Sequence, residues 1–275
     1  MQATSTTGSI CEMAPAEFST DSVIELSERV HFNMHDAYYE HATAEHFWIQ
    51  WRFNSIRKLL QGLSLGKNVF EVGCGNGVVQ QQFESAFDIA IDGCDLNYDA
   101  MEKGLPTRGQ KFLYNVFDQR SEWQNKFDSV LLLDTLEHID TPCEFLTAIG
   151  NHLVDDGLLV INVPAMPFLY SRYDSVQGHV RRYRRPQLEL ELQSAGFELV
   201  EHKYWGGNVI PIAYLRKLFA SSDDDKVLTQ GFAPPGKFAE GILRTLMNCE
   251  TAGLKFLPYG TSLSAVARKR SQGQR

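Results

Sequence analysis

Apolar positions along the chain change their period at identifiable places. Phe47, Trp51, Ile56, Leu59 and Leu60 recur at roughly helical steps within a stretch, Ser22 to about Gly62, whose pattern is helical. They predict an amphipathic helix near 44–62, which Gly62 and Gly66 end. After Gly66, short apolar runs alternate with helical stretches. Asn68–Val72, Ile89–Cys94, Phe112–Val116, Val130–Leu133, Leu158–Val163, Phe197–Tyr204 and Ser262–Arg268 read as strands. Asn97 caps a short helix that Gly104 closes, Pro142 opens a helix to about Leu153, and Pro186 opens another that Gly196 stops. Such alternation predicts an α/β fold: a doubly wound, Rossmann-like, mostly parallel seven-stranded sheet.

Outside this rhythm, residues 1–20 read as a loose tail rich in Ser, Thr, Ala and Gly, and 21–66 as an N-terminal helical cap. Residues 67–275 form the main domain, with an insertion at about 206–260 before the last strand. The insertion holds a polar loop, Ser221–Asp225, and two apolar, helical pieces at 209–219 and 238–257. These pieces suit a hydrophobic or lipid-like ligand, or a homodimer contact.

With 275 residues, 43% hydrophobic and 22% charged, the chain can bury a full core without staples. No apolar run approaches the roughly 18 residues of a membrane span, and the N-terminus lacks a secretory pattern. Five widely spaced cysteines, none in a Cys-x-x-Cys pair, predict a reduced, cytoplasmic setting. No paired histidines or cysteines show ligand spacing, so no metal site is expected. A net charge of −8 disfavours a nucleic-acid partner.

The strongest chemical signal is Val69-Phe70-Glu71-Val72-Gly73-Cys74-Gly75-Asn76-Gly77. A buried strand running into alternate glycines lets backbone approach a ligand at a helix N-terminus. Val78 stands where a dinucleotide fingerprint wants its last glycine, and no Gly-Lys-Ser/Thr follows. Glu71 lies where a carboxylate meets a ligand ammonium, so the turn suits a nucleoside with a cationic tail. Asp95 ends the next strand, about 20 residues on, where a carboxylate accepts ribose hydroxyls. Charge-assisted bonds of that kind contribute about 1.5–3 kcal/mol each.

Glu71–Gly77, Asp95 and Asp134-Thr135-Leu136-Glu137-His138 together resemble the class I S-adenosylmethionine-dependent methyltransferases, in their small-molecule branch. His46-Phe47-Trp48 with Arg52, Gly178–Tyr183 and Pro258–Leu263 extend the resemblance. It implies S-adenosyl-L-methionine as cofactor and S-adenosyl-L-homocysteine as product. Glu71, Gly73, Cys74, Gly75 and Gly77 would hold the methionine part, Asp95 the ribose, and Leu96 the adenine. Asn115 stands where family members often place an acidic adenine partner, and Asp134 follows the fourth strand on the cofactor side. Arg52 resembles an arginine that reaches the cofactor carboxylate; a solvated helix arginine is the alternative.

Moving a methyl to a hydroxyl needs a group to take the proton, and His179 and His138 each follow a predicted strand end on the cofactor side. His138 can equally shape the pocket floor. Tyr38, Tyr39 and Trp48 lie where they could cover the pocket; Trp48 reads as packing, and for the tyrosines both readings stand. Arg181 and Arg182 offer an anion site for a charged acceptor, or a solvated loop. The expected function is methylation of an oxygen or nitrogen of a small molecule, a secondary metabolite or a lipid- or sugar-linked precursor. A macromolecular methyltransferase and a non-catalytic cofactor-binding module are the alternatives.

Overall fold

The computed structural model describes residues 22–29, 42–218, 227, 236–253 and 258–271. The tail at 1–20, Tyr38, Tyr39 and the loop at 221–225 lie outside these. Within them the chain forms one eight-stranded sheet from β1 (Ile24–Glu25), β2 (Val69–Val72), β3 (Ile91–Asp95), β4 (Lys111–Leu113), β5 (Phe127–Leu133), β6 (Leu153–Pro164), β7 (Phe197–Trp205) and β8 (Ser262–Lys269). The spatial order is β1-β4-β3-β2-β5-β6-β8-β7. Pairings are parallel except β6–β8 and β8–β7.

Seven of these strands are those the apolar runs predict. The eighth, β1, corrects the helical reading from Ser22: Ile24 and Glu25 pair with Phe112 and Leu113 of β4. Two residues carry no periodicity, and only the free edge of β4 makes them a strand. A second difference lies at Asp155–Gly157, a predicted turn that the structure places inside β6. Its pairing to β5 shifts register between Phe127 and Ser129, and Asp156 takes the left-handed backbone that an aspartate tolerates.

The helices are α1 (Phe47–Leu59), α2 (Val78–Phe87), α3 (Tyr98–Glu102), α4 (Pro142–His152), α5 (Arg172–Val176), α6 (Arg185–Ser194), α7 (Ile210–Leu218) and α8 (Lys237–Gly253). Alternation along each strand splits the apolar runs between the two sheet faces. Phe70, Val130, Leu132 and Ile161 join one core with Leu146, Ile149 and Leu188 of α4 and α6. Val69, Leu131, Leu133 and Val160 join the opposite core with Ile49, Ile56 and Phe83 of α1 and α2. Strands covered on both faces therefore read as continuous apolar runs.

The segment between β7 and β8 is tied back to α1. The Arg244 guanidinium of α8 donates to the Gln50 side chain at 2.5 Å and to the Glu45 carbonyl at 2.8 Å. The Glu250 carboxylate of α8 accepts the Gly206 amide at 2.6 Å. Trp48 and Trp51 of α1, Trp205 of β7 and Met247 of α8 make a small third core. Among the described residues, no helix is long and apolar enough to cross a membrane.

The β3–β4 side of the sheet is tied to α2 through one buried acid. Glu84 of α2 accepts the amides of Ile91 at 3.0 Å, Gly109 at 2.8 Å and Arg108 at 2.8 Å. Glu84→Ala leaves three backbone donors without acceptors and is expected to cost about 3 kcal/mol or more in urea unfolding. Glu84→Gln, which keeps one carbonyl acceptor, should cost clearly less.

Candidate active site

β2 runs out of the sheet into three glycines, all at positive φ: Gly73 at 82°, Gly75 at 50° and Gly77 at 83°. The amides of Gly73 and Cys74 both donate to the Cys94 carbonyl, at 2.8 and 3.0 Å, which lashes the turn to the end of β3. A Cβ on Gly73 would lie 2.3 Å from Thr135 Oγ1, so glycine is required there by both backbone and space. Gly77 caps α2 and faces Lys111 and Thr107 rather than the cavity that the rest of the turn lines. Its part is to turn the chain.

That cavity, of about 1040 Å³, opens beyond the carboxyl ends of β2, β3 and β5. Glu71, Gly73, Cys74, Gly75, Asp95 and Leu96 line one end of it. Glu71 is 1% exposed and its Oε2 has no hydrogen-bond partner. Burial pushes its carboxyl up to about 8, partly opposed by the Arg52 guanidinium. Asp95 accepts the Gly75 amide at 2.7 Å and the Asn97 amide at 2.8 Å, and burial still raises its carboxyl above the usual range. Burial also raises the Cys74 thiol, which serves as wall rather than nucleophile. Asn115 lines the same end, its Oδ1 accepting the Phe117 amide at 3.1 Å.

Asp134 leaves β5 at a φ of 58° and joins the two ends of the cavity. It accepts from Arg52 Nη1 at 2.6 Å and from Asn162 Nδ2 at 2.5 Å. Asn162 Oδ1 in turn accepts from Trp205 Nε1 at 3.0 Å and Ser264 Oγ at 2.7 Å. Arg52 lines the cavity and pairs with Asp134; at 4% exposed it is not the solvated helix arginine of the alternative reading.

The far end is built by the loops after β5 and β6. The Val180 amide donates to the Glu137 carbonyl at 2.9 Å, which seams the two loops together. His138 and His179 meet edge to face, 4.9 Å between ring centres. Burial, then the neighbouring His179, pulls His138 down to about 4, so it is neutral at pH 7. His179 Nδ1 lies 3.0 Å from Asp174 Oδ1, which leaves Nε2 directed at Glu137 Oε1, 3.9 Å away. Glu137 is fully buried, and neither carboxylate oxygen has a hydrogen-bond partner. Burial, then the Asp134 charge, raises its carboxyl well above the ordinary value.

The two arginines separate. Arg182 lines the cavity, but its Nε donates to buried Asp174 at 2.7 Å and its Nη1 to the Ala165 carbonyl at 3.2 Å. Arg181 does not line it and donates to the Asp140 carbonyl at 3.0 Å. The expected paired anion site is therefore not assembled, because Asp174 claims one guanidinium and the surface the other. Tyr39 lies outside the described residues. Trp48 packs against Trp205, ring centres 4.7 Å apart, while also lining the cavity.

Two site residues escaped the sequence reading, and Glu137 entered it only within the quoted motif, with no role. Asn162 left a usable signal, a polar residue inside the apolar run Leu158–Val163. Asp174 left one in Ser171-x-x-Asp174, the capping box that opens α5. The exposure of Glu137 to the cavity left none, since burial against a distant loop has no local pattern.

Residues 47–202 match the family described as a methyltransferase domain, and the chain belongs to that family. It is 29% identical over 145 residues to the tRNA U34 carboxymethyltransferase of Pseudomonas savastanoi pv. phaseolicola, covering 48% of this chain and 46% of that one. Over 123 residues it is 31% identical to the ubiquinone biosynthesis O-methyltransferase of Haemophilus ducreyi, covering 40% and 50%. The chain spans about half the length of these curated relatives. A SAM-dependent methyltransferase from Archaeoglobus fulgidus shares the fold at a TM-score of 0.52 and 15% identity, over 85% of this chain and 97% of that one.

The domain is thus a class I, S-adenosylmethionine-dependent methyltransferase domain. Its residues fit that cofactor: the unpartnered Glu71 Oε2 answers an ammonium, and the left-handed glycines leave room for close approach. A carboxyl held at about 8 must lose its proton to pair with an ammonium. S-adenosylhomocysteine affinity should therefore rise with pH up to about 8, by up to about tenfold per unit, and level off above it. Calorimetry in buffers of different ionisation heat should register proton release near pH 7, absent in Glu71→Gln; equal heats in all buffers for the wild type would refute it.

Proposed function

We propose that the protein transfers the methyl of S-adenosylmethionine to an oxygen or nitrogen of a small molecule that carries an apolar portion. The observation that supports this most is the continuity of the cavity. It runs from the glycine turn to His179, and beyond them its wall is Ile212, Leu215, Ile242, Leu243 and Leu246 of α7 and α8. An acceptor held there would have its polar end toward Glu137, His138 and His179 and its apolar part along the two helices.

The cofactor supplies an electrophilic methyl on a sulfonium, so the protein's share is chiefly positioning. Glu71, the Gly73–Gly75 turn and Asp95 would fix the donor, with Leu96 and Asn115 at the adenine. Asp134, held by Arg52 and Asn162, keeps the loop carrying Glu137 and His138 at its distance from that donor. Holding two reactants in line can account for several of the roughly 7–11 kcal/mol available from orientation. His179 would take the acceptor's proton through Nε2, with Asp174 fixing its tautomer. Arg182 acts through Asp174 as a positioning residue.

The tRNA-modifying relatives support a second reading, a nucleic-acid base as acceptor. The two are separated by supplying methyl-labelled cofactor with hydroxylated and amino small molecules of graded apolar length beside a tRNA pool. Label is expected in the low-mass fraction, at rates that rise with apolar length; label in tRNA alone would overturn the proposal. His179→Ala should lower kcat by about 10²–10⁴-fold, while the KM for S-adenosylmethionine changes little.

A further inference from the structure

Glu137, His138 and His179 each offer a ligand atom, and these atoms lie within 4.8 Å of one another. They come from two loops far apart in sequence, which explains why no ligand spacing is legible along the chain. Three independent features single out this cluster among the buried polar groups.

The first is Glu137 itself. Its side chain is fully buried, lines the cavity, and leaves both oxygens without a hydrogen-bond partner. A buried carboxylate without partners is costly unless a cation or donor completes it. Of the arginines that line the same cavity, Arg52, Arg182 and Arg216, the first two bond to Asp134 and Asp174 instead.

The second is the orientation of His179. Asp174 accepts from Nδ1 at 3.0 Å, so the proton sits on Nδ1 and the Nε2 lone pair faces Glu137 Oε1 at 3.9 Å. Two electron-rich atoms that face each other at that distance are too far apart to share a hydrogen bond. A cation between them would draw them together, since metal–ligand bonds of about 2.1 Å in a tetrahedral site set ligand atoms about 3.4 Å apart. Reaching that span asks Nε2 and Oε1 to close by about 0.5 Å and the widest pair in the cluster by up to about 1.4 Å.

The third is the support behind the ligands. A carboxylate that holds the far nitrogen of a ligating imidazole is the usual outer arrangement at metal sites, where it fixes tautomer and ring angle. Asp174 does this here, and is itself held by Arg182 at 2.7 Å and the Ser171 amide at 2.9 Å. The Tyr170 hydroxyl donates to the His179 carbonyl at 2.7 Å, and so holds the backbone of the same loop.

We propose that Glu137, His138 and His179 bind one divalent transition-metal ion of the zinc type at the acceptor end of the cavity, and that this ion takes the oxygen of the acceptor's hydroxyl. Two imidazoles and one carboxylate on one side suit such an ion and leave positions open to a substrate. The second half of the proposal rests on the methyl-transfer reading and narrows it to hydroxylated acceptors. With Nε2 on the metal, His179 no longer takes the acceptor's proton itself; the bound ion lowers the pKa of the hydroxyl, whose proton leaves to water. The oxygen then forms a bond to the methyl carbon as the carbon–sulfur bond breaks, and its electron pair stays on sulfur. The products are the methyl ether, S-adenosylhomocysteine and one proton.

The test begins with chelator-treated full-length protein, titrated with Co²⁺ and with Zn²⁺. One equivalent is expected to bind at micromolar concentration or tighter, with Co²⁺ giving the visible absorption of a low-coordinate nitrogen and oxygen site. Glu137→Gln and His179→Ala should weaken binding at least 100-fold, and Asp174→Asn by about 10–100-fold. S-adenosylhomocysteine binding, measured on every sample, reports that the variant is folded. Chelation should abolish transfer to hydroxyls, and Zn²⁺ should restore it. Absence of stoichiometric metal in wild type that binds S-adenosylhomocysteine would overturn the site and leave His179 as a base acting alone. Metal bound equally well by the variants would overturn it too. If S-adenosylhomocysteine fails to bind the wild type, the methyl-transfer reading falls, while the metal stoichiometry still decides the site.

Discussion

The ion pair between Arg52 and Asp134 joins parts of the molecule that the chain itself keeps apart. Arg52 is 4% exposed, its Nη1 2.6 Å from Asp134 Oδ2, and the other oxygen of Asp134 is bonded by Asn162. Through Asn162 the same network reaches Trp205 and Ser264, so one carboxylate ties α1, β5, β6, β7 and β8. The pair is unequal: Arg52 is buried, while Asp134 is 29% exposed and keeps its Asn162 bond without it. The network lies where the sheet stops and the loops begin. It therefore sets how far the loop carrying Glu137 and His138 stands from the glycine turn, and that distance determines which molecules fit between them.

Buried acids give the cavity its chemical character. Glu71 and Glu137 stand at its two ends, each with at least one oxygen lacking a hydrogen-bond partner, and burial raises both. The fold holds these groups at the expense of their solvation, which a cationic ligand would relieve at either end. Asp174 shows the contrasting solution. Burial alone would raise it, but His179 and Arg182 hold its carboxyl below the usual range, and it remains an anion that orients its neighbours. Acids of one kind are thus divided between binding and positioning by their partners rather than by their chemistry.

The segment between β7 and β8 adds the apolar side. Glu250 holds the turn after β7 while Arg244 grips α1, so α8 and α1 form a fixed wall with Trp48, Trp51 and Trp205 at its base. Ile212 and Leu215 of α7 line the cavity and are also exposed. The cavity thus has an aromatic floor and an apolar margin.

Much of the fold was legible because its signals are local. Strand runs, glycine ends and proline starts are set by neighbours within a few residues, and seven strands follow from them. The glycine-turn end of the cavity was legible for the same reason: Glu71, Gly73, Cys74 and Gly75 are consecutive or nearly so, and Asp95 ends the next strand. The reading failed where meaning depends on distant partners. Strand β1 exists because β4 has a free edge; Arg182 is committed because Asp174 is buried beside it; Gly77 faces away from the cavity because α2 starts there. Above all, Glu137, His138 and His179 become one cluster only when the loops after β5 and β6 are seamed through Val180. By itself the sequence determined the alternation of elements and the glycine turn, since backbone preference and period act over short range. The tertiary structure decided the far end of the cavity, because desolvation and pairing of charges depend on which groups the completed sheet brings within a few ångströms.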